Sequence, residues 1–278
     1  NSSAASDVYK RQAYYIPASL LYKSFKTMSV LASGAVVRQV LLSAGAEESQ
    51  IMAKLQPIAT DMHALGNPWI SYSVYLNNSF LPGLLQLMIL LVTVFSIGSE
   101  MKRATSREWL RTADDSIIIA ITGKLIPQTI IFFSMGLLYL SLLYGYLHFP
   151  MHNSIWHMIF AMFLLVVASQ SFAVIIMCFA PSLRIGLSVG GLVGVLSLSI
   201  AGFSFPVPAM YLPFQAISYV LPVRHYFLIY VDQALNGIPL YYSRVHYVAL
   251  ILFAVASTPL LPRLKKALMR QVYVPVSY

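Results

Sequence analysis

Charge is scarce in this chain. Of its 278 residues only 10% are Asp, Glu, Lys or Arg, and the acidic ones number 9 against 18 basic. A soluble domain typically carries about 25% charged residues, so 58% hydrophobic residues and a mean hydropathy of +0.73 exclude a water-soluble globule. Cysteine is nearly absent too. The single one, Cys178, sits inside an apolar run, which excludes a disulfide framework and a thiolate metal cluster and leaves a small packing residue. No GxxxxGK[ST] phosphate loop is present: Gly123 and Lys124 adjoin, but Leu125 follows and the upstream glycine is missing, so the chain is not expected to bind or hydrolyse nucleotide itself. The middles of the apolar runs hold no Asp, Glu, His, Lys or Arg, only Gln86, Gln128, Gln170 and scattered Ser and Thr. Gradient-driven transport and intramembrane catalysis both need titratable groups at membrane depth, so the reading excludes a secondary transporter and leaves no catalytic residues to name.

What is present is a set of five apolar runs, 80–98, 126–148, 155–180, 183–203 and 246–261, each long enough to cross a hydrocarbon core of about 30 Å. Basic residues sort the connections. Lys102, Arg103, Arg107, Arg111 and Lys124 crowd 99–124, none falls in 149–154, Arg184 lies in the turn at 181–184, and Arg263, Lys265, Lys266 and Arg270 follow the last run. The positive-inside rule then places the N-terminal region outside and the C-terminus in the cytoplasm. The net charge of +9 lies beside apolar runs rather than along one soluble face, which suits anionic headgroups and argues against nucleic acid as a partner.

The start is read as foreign and truncated. Residues 1–12, NSSAASDVYKRQ, read as a non-native leader, and the polar stretch at 13–79 as the remnant of an extracytoplasmic domain whose export needs a transmembrane helix this chain lacks. The transmembrane domain is expected over 80–278, with a cytoplasmic segment at 99–125 and short extracytoplasmic helices at 204–245.

Two stripes, one of them basic, mark the cytoplasmic segment. At helical spacing Arg103, Arg107 and Arg111 recur along one line, and Met101, Thr105, Trp109 and Ala113 along another, so one face suits headgroups and the other a soluble partner. Asp114, Asp115 and Ser116 offer N-caps for a following helix. In the fourth run Gly186, Gly190 and Gly194 repeat every four residues, a spacing for close helix packing, within the chain or across a dimer. His225, in a Pro-, Tyr- and Phe-rich segment, reads first as a hydrogen-bonded histidine locking two short helices and second as a gate. His148, His152 and His157 bracket one loop, but Pro150 interrupts their spacing and no carboxylate is near, so no metal site is assigned.

The run TSREWLRTADDSIIIAITGKLIP at 105–127 resembles the cytoplasmic coupling segment of ABC type 2 (ABC-2) transporter permeases, with Glu108, Gly123, Lys124 and Pro127 on the family's positions. The stretch at 202–237 resembles that family's pair of short extracytoplasmic helices, through a Gly-Phe-x-x-Pro entry at Gly202, Phe203 and Pro206 and a Pro-x-x-His-Tyr motif at Pro222, His225 and Tyr226. Asp232 stands where the family often has Arg, and Asn236 with Gly237 where it often has Lys-Gly.

The resemblance implies an all-α permease bundle with five of six transmembrane helices present, plus the remnant of an α/β domain, in the bacterial inner membrane. It implies an exporter subunit with no cofactor of its own, ATP and Mg being held by a partner ABC ATPase. A second permease copy or sister and the lipid bilayer are further partners, and a periplasmic adaptor is a further one the resemblance admits. Arg103, Arg107, Glu108, Trp109, Arg111, Gly123, Lys124 and Pro127 are expected to couple to the ATPase, and Gln86, Gln170, Phe203, Pro206, Pro222, His225 and Tyr226 to line the pathway or its outer gate. The competing reading is a membrane scaffold that assembles through the glycine row and transports nothing.

Overall fold

The computed structural model describes residues 15–43, 45, 72–203 and 207–270. Every α-helix, π-turn and 3-10 turn among them is helical structure, and no strand occurs among the described residues, as expected of an all-α membrane protein. The chain divides into two units, 1–72 and 73–278. In the first unit the described element is α1, Tyr15–Ser43. The leader at 1–12 and residues 46–71 of the expected α/β remnant lie outside the described residues; the described part of that remnant is helix.

The second unit opens with α2, Tyr72–Lys102, which starts well before the apolar run marked at 80–98. Polar residues near its start do not break it, because they bond to their own helix: Asn78 Nδ2 donates to the Val74 carbonyl at 2.9 Å and Ser79 Oγ to the Tyr75 carbonyl at 2.7 Å. A short helix, α3, Ser106–Thr112, follows, and then α4, Ile117–Leu140, prolonged by a π-helical turn at Ser141–Tyr146. Next come α5, Ile155–Phe179, and α6, Leu183–Ile200. Two short helices, α7, Leu212–Tyr219, and α8, Pro222–Tyr230, lead through a second π turn, Val231–Leu235. The last elements are α9, Leu240–Val255, and α10, Leu261–Arg270.

Among the described residues five helical segments are long and apolar enough to cross a membrane: 73–102, 117–146, 155–179, 183–200 and 240–270. The central one is α5, whose most apolar stretch is 67% buried, against 22% for α4, α6 and α9. It accordingly carries no amphipathic stripe; a helix apolar all round is a buried one. Both α4 and α9 pack along it, and α8 wedges between α5 and α9.

The expected helical stripes through 101–113 do not form on one helix. The chain turns between α2 and α3 at Ala104, whose φ is 60°, and again at Asp114 and Asp115, at φ 53° and 55°. Aspartate tolerates that left-handed region better than most residues. Ser116 is the N-cap of α4, without a side-chain cap bond.

Candidate functional site

Two ends of the bundle carry the residues singled out above. At the basic end, α3 lies across the ends of α2 and α4 with Leu110 fully buried. One apolar cluster runs through Ile97 and Met101 of α2, Leu110, Ile117 and Ile121 of α4, Met177 of α5, and Leu261, Leu264 and Leu268 of α10. Outside the lipid, burying each such side chain stabilises by about 1.5–3 kcal/mol, enough to hold a seven-residue helix that has too few internal hydrogen bonds to persist alone.

Polar contacts fix the register of that layer. Lys124 Nζ lies 2.5 Å from Glu100 Oε1 and 4.5 Å from the centre of the Trp109 ring, so one cation ties α2, α3 and α4 together. The Thr105 hydroxyl donates to the other Glu100 oxygen. Ser106 Oγ donates to the Leu268 carbonyl at 2.9 Å, Arg107 Nε and Nη2 donate to the Met269 carbonyl at 3.1 and 3.0 Å, and Lys265 Nζ donates to the Asp115 carbonyl at 2.5 Å.

The predicted coupling residues therefore divide. Lys124, Trp109 and Arg107 build the platform. Arg103, Glu108 and Arg111 are exposed on it, and no ion pair or hydrogen bond of their side chains is seen among the described residues. Gly123 packs against nothing at its α-carbon, and Pro127, inside α4, cannot donate to the Gly123 carbonyl four residues back. Glu100 and α10, which complete the platform, were not among the predicted residues; an i to i+24 ion pair has no signature in a single sequence.

The glycine row faces α2 of the same chain. A Cβ on Gly186 would lie 2.9 Å from Val94 Cγ1, one on Gly190 3.7 Å from Val94 Cγ2, and one on Gly194 3.2 Å from the Leu87 Cα and against its Cδ1. All three glycines are buried, so of the two roles expected for them the geometry gives close packing within the chain. Below the row, Gln86 is fully buried with its amide engaged at both ends. Its Nε2 donates to Ser197 Oγ at 3.0 Å, and the Val223 amide donates to its Oε1 at 2.8 Å. Gln170 accepts from Thr129 Oγ1 at 2.7 Å. Both glutamines clip helices together rather than presenting free amides to a passage.

At the opposite, tyrosine-rich end, Pro222 is the first residue of α8, where its missing N–H costs nothing. Phe203 packs edge-on to Phe227 with ring centres 5.7 Å apart. His225 Nε2 donates to the Tyr219 carbonyl at the end of α7, at 3.0 Å, and its Nδ1 lies 3.4 Å from His246 Nδ1. Burial pushes the His225 imidazole down from 6.5 to about 4, with the neighbouring His246 and Arg224 adding to the shift against the Tyr219 bond, so the ring is neutral at physiological pH. Arg224, also buried, donates to the Ala201 carbonyl and Ser218 Oγ. Next to it Asn153 donates to Gln233, Gln233 to Ser243, and Ser243 to Asp232, at 3.0, 2.8 and 2.9 Å. His152 Nδ1 lies 3.0 Å from the Ala234 carbonyl. Tyr226 is buried in the same end; Pro206 lies outside the described residues.

A basic platform, an apolar bundle and a separately locked pair of short helices are what the two ends present. Comparison with curated proteins and with solved structures gives no match. Residues 4–261 match the family described as ABC-2 family transporter protein. The chain is a multi-pass membrane protein that belongs to the ABC-2 transporter family.

Proposed function

We propose that this chain is the permease subunit of an ATP-driven exporter of the ABC-2 type, with the basic end cytoplasmic and a separate ABC ATPase docking on α3. The observation that carries the reading is the platform itself. Exposed Glu108 and Arg111 stand on a seven-residue helix whose other face is locked by Leu110, Lys124 and α10, and exposed Arg103 lies at the turn that leads into it. Force applied there passes into α2 and α4 through the Glu100–Lys124–Trp109 contacts rather than being lost in a loose loop. Pro127, which frees the Gly123 carbonyl, gives α4 a point to bend. The partner ATPase holds ATP and Mg, and a second permease completes the pathway.

The test is affinity purification of the protein from its own membranes, alone and with Glu108→Arg and Arg111→Glu. An ABC ATPase that copurifies with the unmodified protein and is lost with both reversals supports the reading. An ATPase retained by both reversals removes α3 as the docking site, and a stable complex lacking any ATPase overturns the permease assignment in favour of a scaffold.

A further inference from the structure

Behind the outer half of α4, five tyrosines gather near Asn77 and Asn78. Tyr144 Oη donates to Asn78 Oδ1 at 2.9 Å and Tyr139 Oη to the Asn77 carbonyl at 3.1 Å, and Tyr75 is one turn away on α2. From α8, Tyr226 and Tyr230 complete the group, each 1% exposed. Among the described residues the Tyr226 hydroxyl meets no hydrogen-bond partner, and the Tyr230 hydroxyl comes no closer to one than the Asn78 side chain beside it. A buried hydroxyl left unmade costs about as much as a lost hydrogen bond, so each such group calls for an explanation. Burial holds both phenols well above their ordinary value of 10, so they stay neutral and able to donate.

An apolar cavity of about 530 Å³ adjoins this group, lined by Leu137, Leu140, Tyr144, Gly145, Met151 and Ile159 among others. Tyr144 belongs to both: its ring lines the cavity and its hydroxyl meets Asn78. Gly145 beside it has open space where a side chain would stand. Both parts of the site abut π turns, Ser141–Tyr146 and Val231–Leu235, a local widening found disproportionately at functional sites. No Asp, Glu, Lys or Arg lines the cavity. The nearest buried charges are engaged, Asp232 by Ser243 and Arg224 by Ala201 and Ser218.

We propose that the cavity between α4 and α5 and the tyrosines behind it form one binding site for an uncharged amphiphile. Its hydrocarbon part fills the cavity, and a neutral hydroxyl or ester oxygen reaches Tyr226 and Tyr230, which do not line the cavity themselves, once the Tyr144 side chain moves to admit it. A charged head group would be desolvated there with no counter-charge, which the site rejects. This inference does not depend on the transport reading.

The probe is a photoactivatable diacylglycerol, applied to the full chain in phosphatidylcholine nanodiscs and mapped by mass spectrometry, with a photoactivatable phosphatidic acid of the same chains as the charged comparison. The neutral probe is expected to label 137–159 at least fivefold more strongly than the charged one, a contrast of about 1 kcal/mol that needs no variant. Ile159→Trp, which fills the cavity, and Tyr226→Phe with Tyr230→Phe are each expected to lower labelling at least about fivefold. The melting temperature without probe is read for every variant. Equal labelling by the two probes means an ordinary annular lipid and overturns the proposal. So does unchanged labelling of the double phenylalanine variant with a raised melting temperature, the signature of two dry, unpartnered hydroxyls.

Discussion

Ser106 and Leu268 lie 162 positions apart in the sequence, and the hydroxyl of the first donates to the carbonyl of the second at 2.9 Å in a fully buried contact. The contact joins the helix proposed to receive a partner to the last described helix of the chain, so the two form one rigid ledge. Arg107 and Lys265 extend the same seam on either side.

Loosening that seam is expected to expose α10. Ser106→Ala should cost about 1 kcal/mol and Leu268→Ala about 2–5 kcal/mol, since Leu268 is fully buried. Limited trypsin digestion in detergent, read as the rate of cleavage after Lys265 and Lys266, should rise in that order.

Lys124 and Glu100 form the platform's ion pair at 2.5 Å, with side chains 19% and 25% exposed. Partial shielding and the Trp109 ring raise its value above that of a fully exposed surface pair. A double-mutant cycle with Lys124→Met and Glu100→Gln is expected to give a coupling of about 1–2 kcal/mol by denaturant unfolding. A coupling near zero would show that the pair does not hold α4 to α2.

The glycine row separates by position. Gly190→Ala has room, with its nearest neighbour 3.7 Å away, and should be neutral or stabilising by up to about 1 kcal/mol through helix propensity. Gly194→Ala meets the backbone of Leu87, which cannot swing aside, and should cost about 1–3 kcal/mol. Melting temperatures of the two variants, measured side by side, check the contrast.

His225 should make the protein acid-sensitive. Its pKa is lowered in the fold, from 6.5 to about 4, so between those values the unfolded chain binds the extra proton. Stability is full above pH 6.5 and falls as pH drops toward 4, by about 3 kcal/mol at the bottom of that window. His225→Gln, which keeps a donor for the Tyr219 carbonyl, is expected to flatten the melting temperature between pH 7 and pH 4.5; an unchanged slope would assign the acid sensitivity to other groups.

The five long helices were legible because membrane-spanning helices announce themselves by unbroken apolarity. Their ends were not. Asn78 and Ser79 look like loop residues to hydropathy, yet each finds a carbonyl one turn back, and the helix expected to start after Asp114–Ser116 does start at Ile117 but runs on without a break into the second apolar run. Periodicity put Arg103, Arg107 and Arg111 on one line by assuming a straight helix. Nothing in the alanine at 104 signals the left-handed turn that breaks it. The family resemblance pointed to Lys124 and Trp109, while their partner Glu100 and the α10 seam depend on contacts far apart in the chain. The Pro-x-x-His-Tyr motif led to His225, but the Asn153–Gln233–Ser243–Asp232 chain beside it is four unremarkable polar residues until folding brings them together.

The α3–α10 seam also has a bearing on how the protein is made. Ribosomes add about 5–20 residues each second, so α3 leaves the ribosome roughly 8–30 s before the residues that cover Ser106 and Leu110. During that interval the apolar underside of α3 has no lid, and a nascent chain that stops short of 261–270 never acquires one. The ledge is therefore the last part of the described bundle to be completed, and its seam closes only after the whole of α10 has been made.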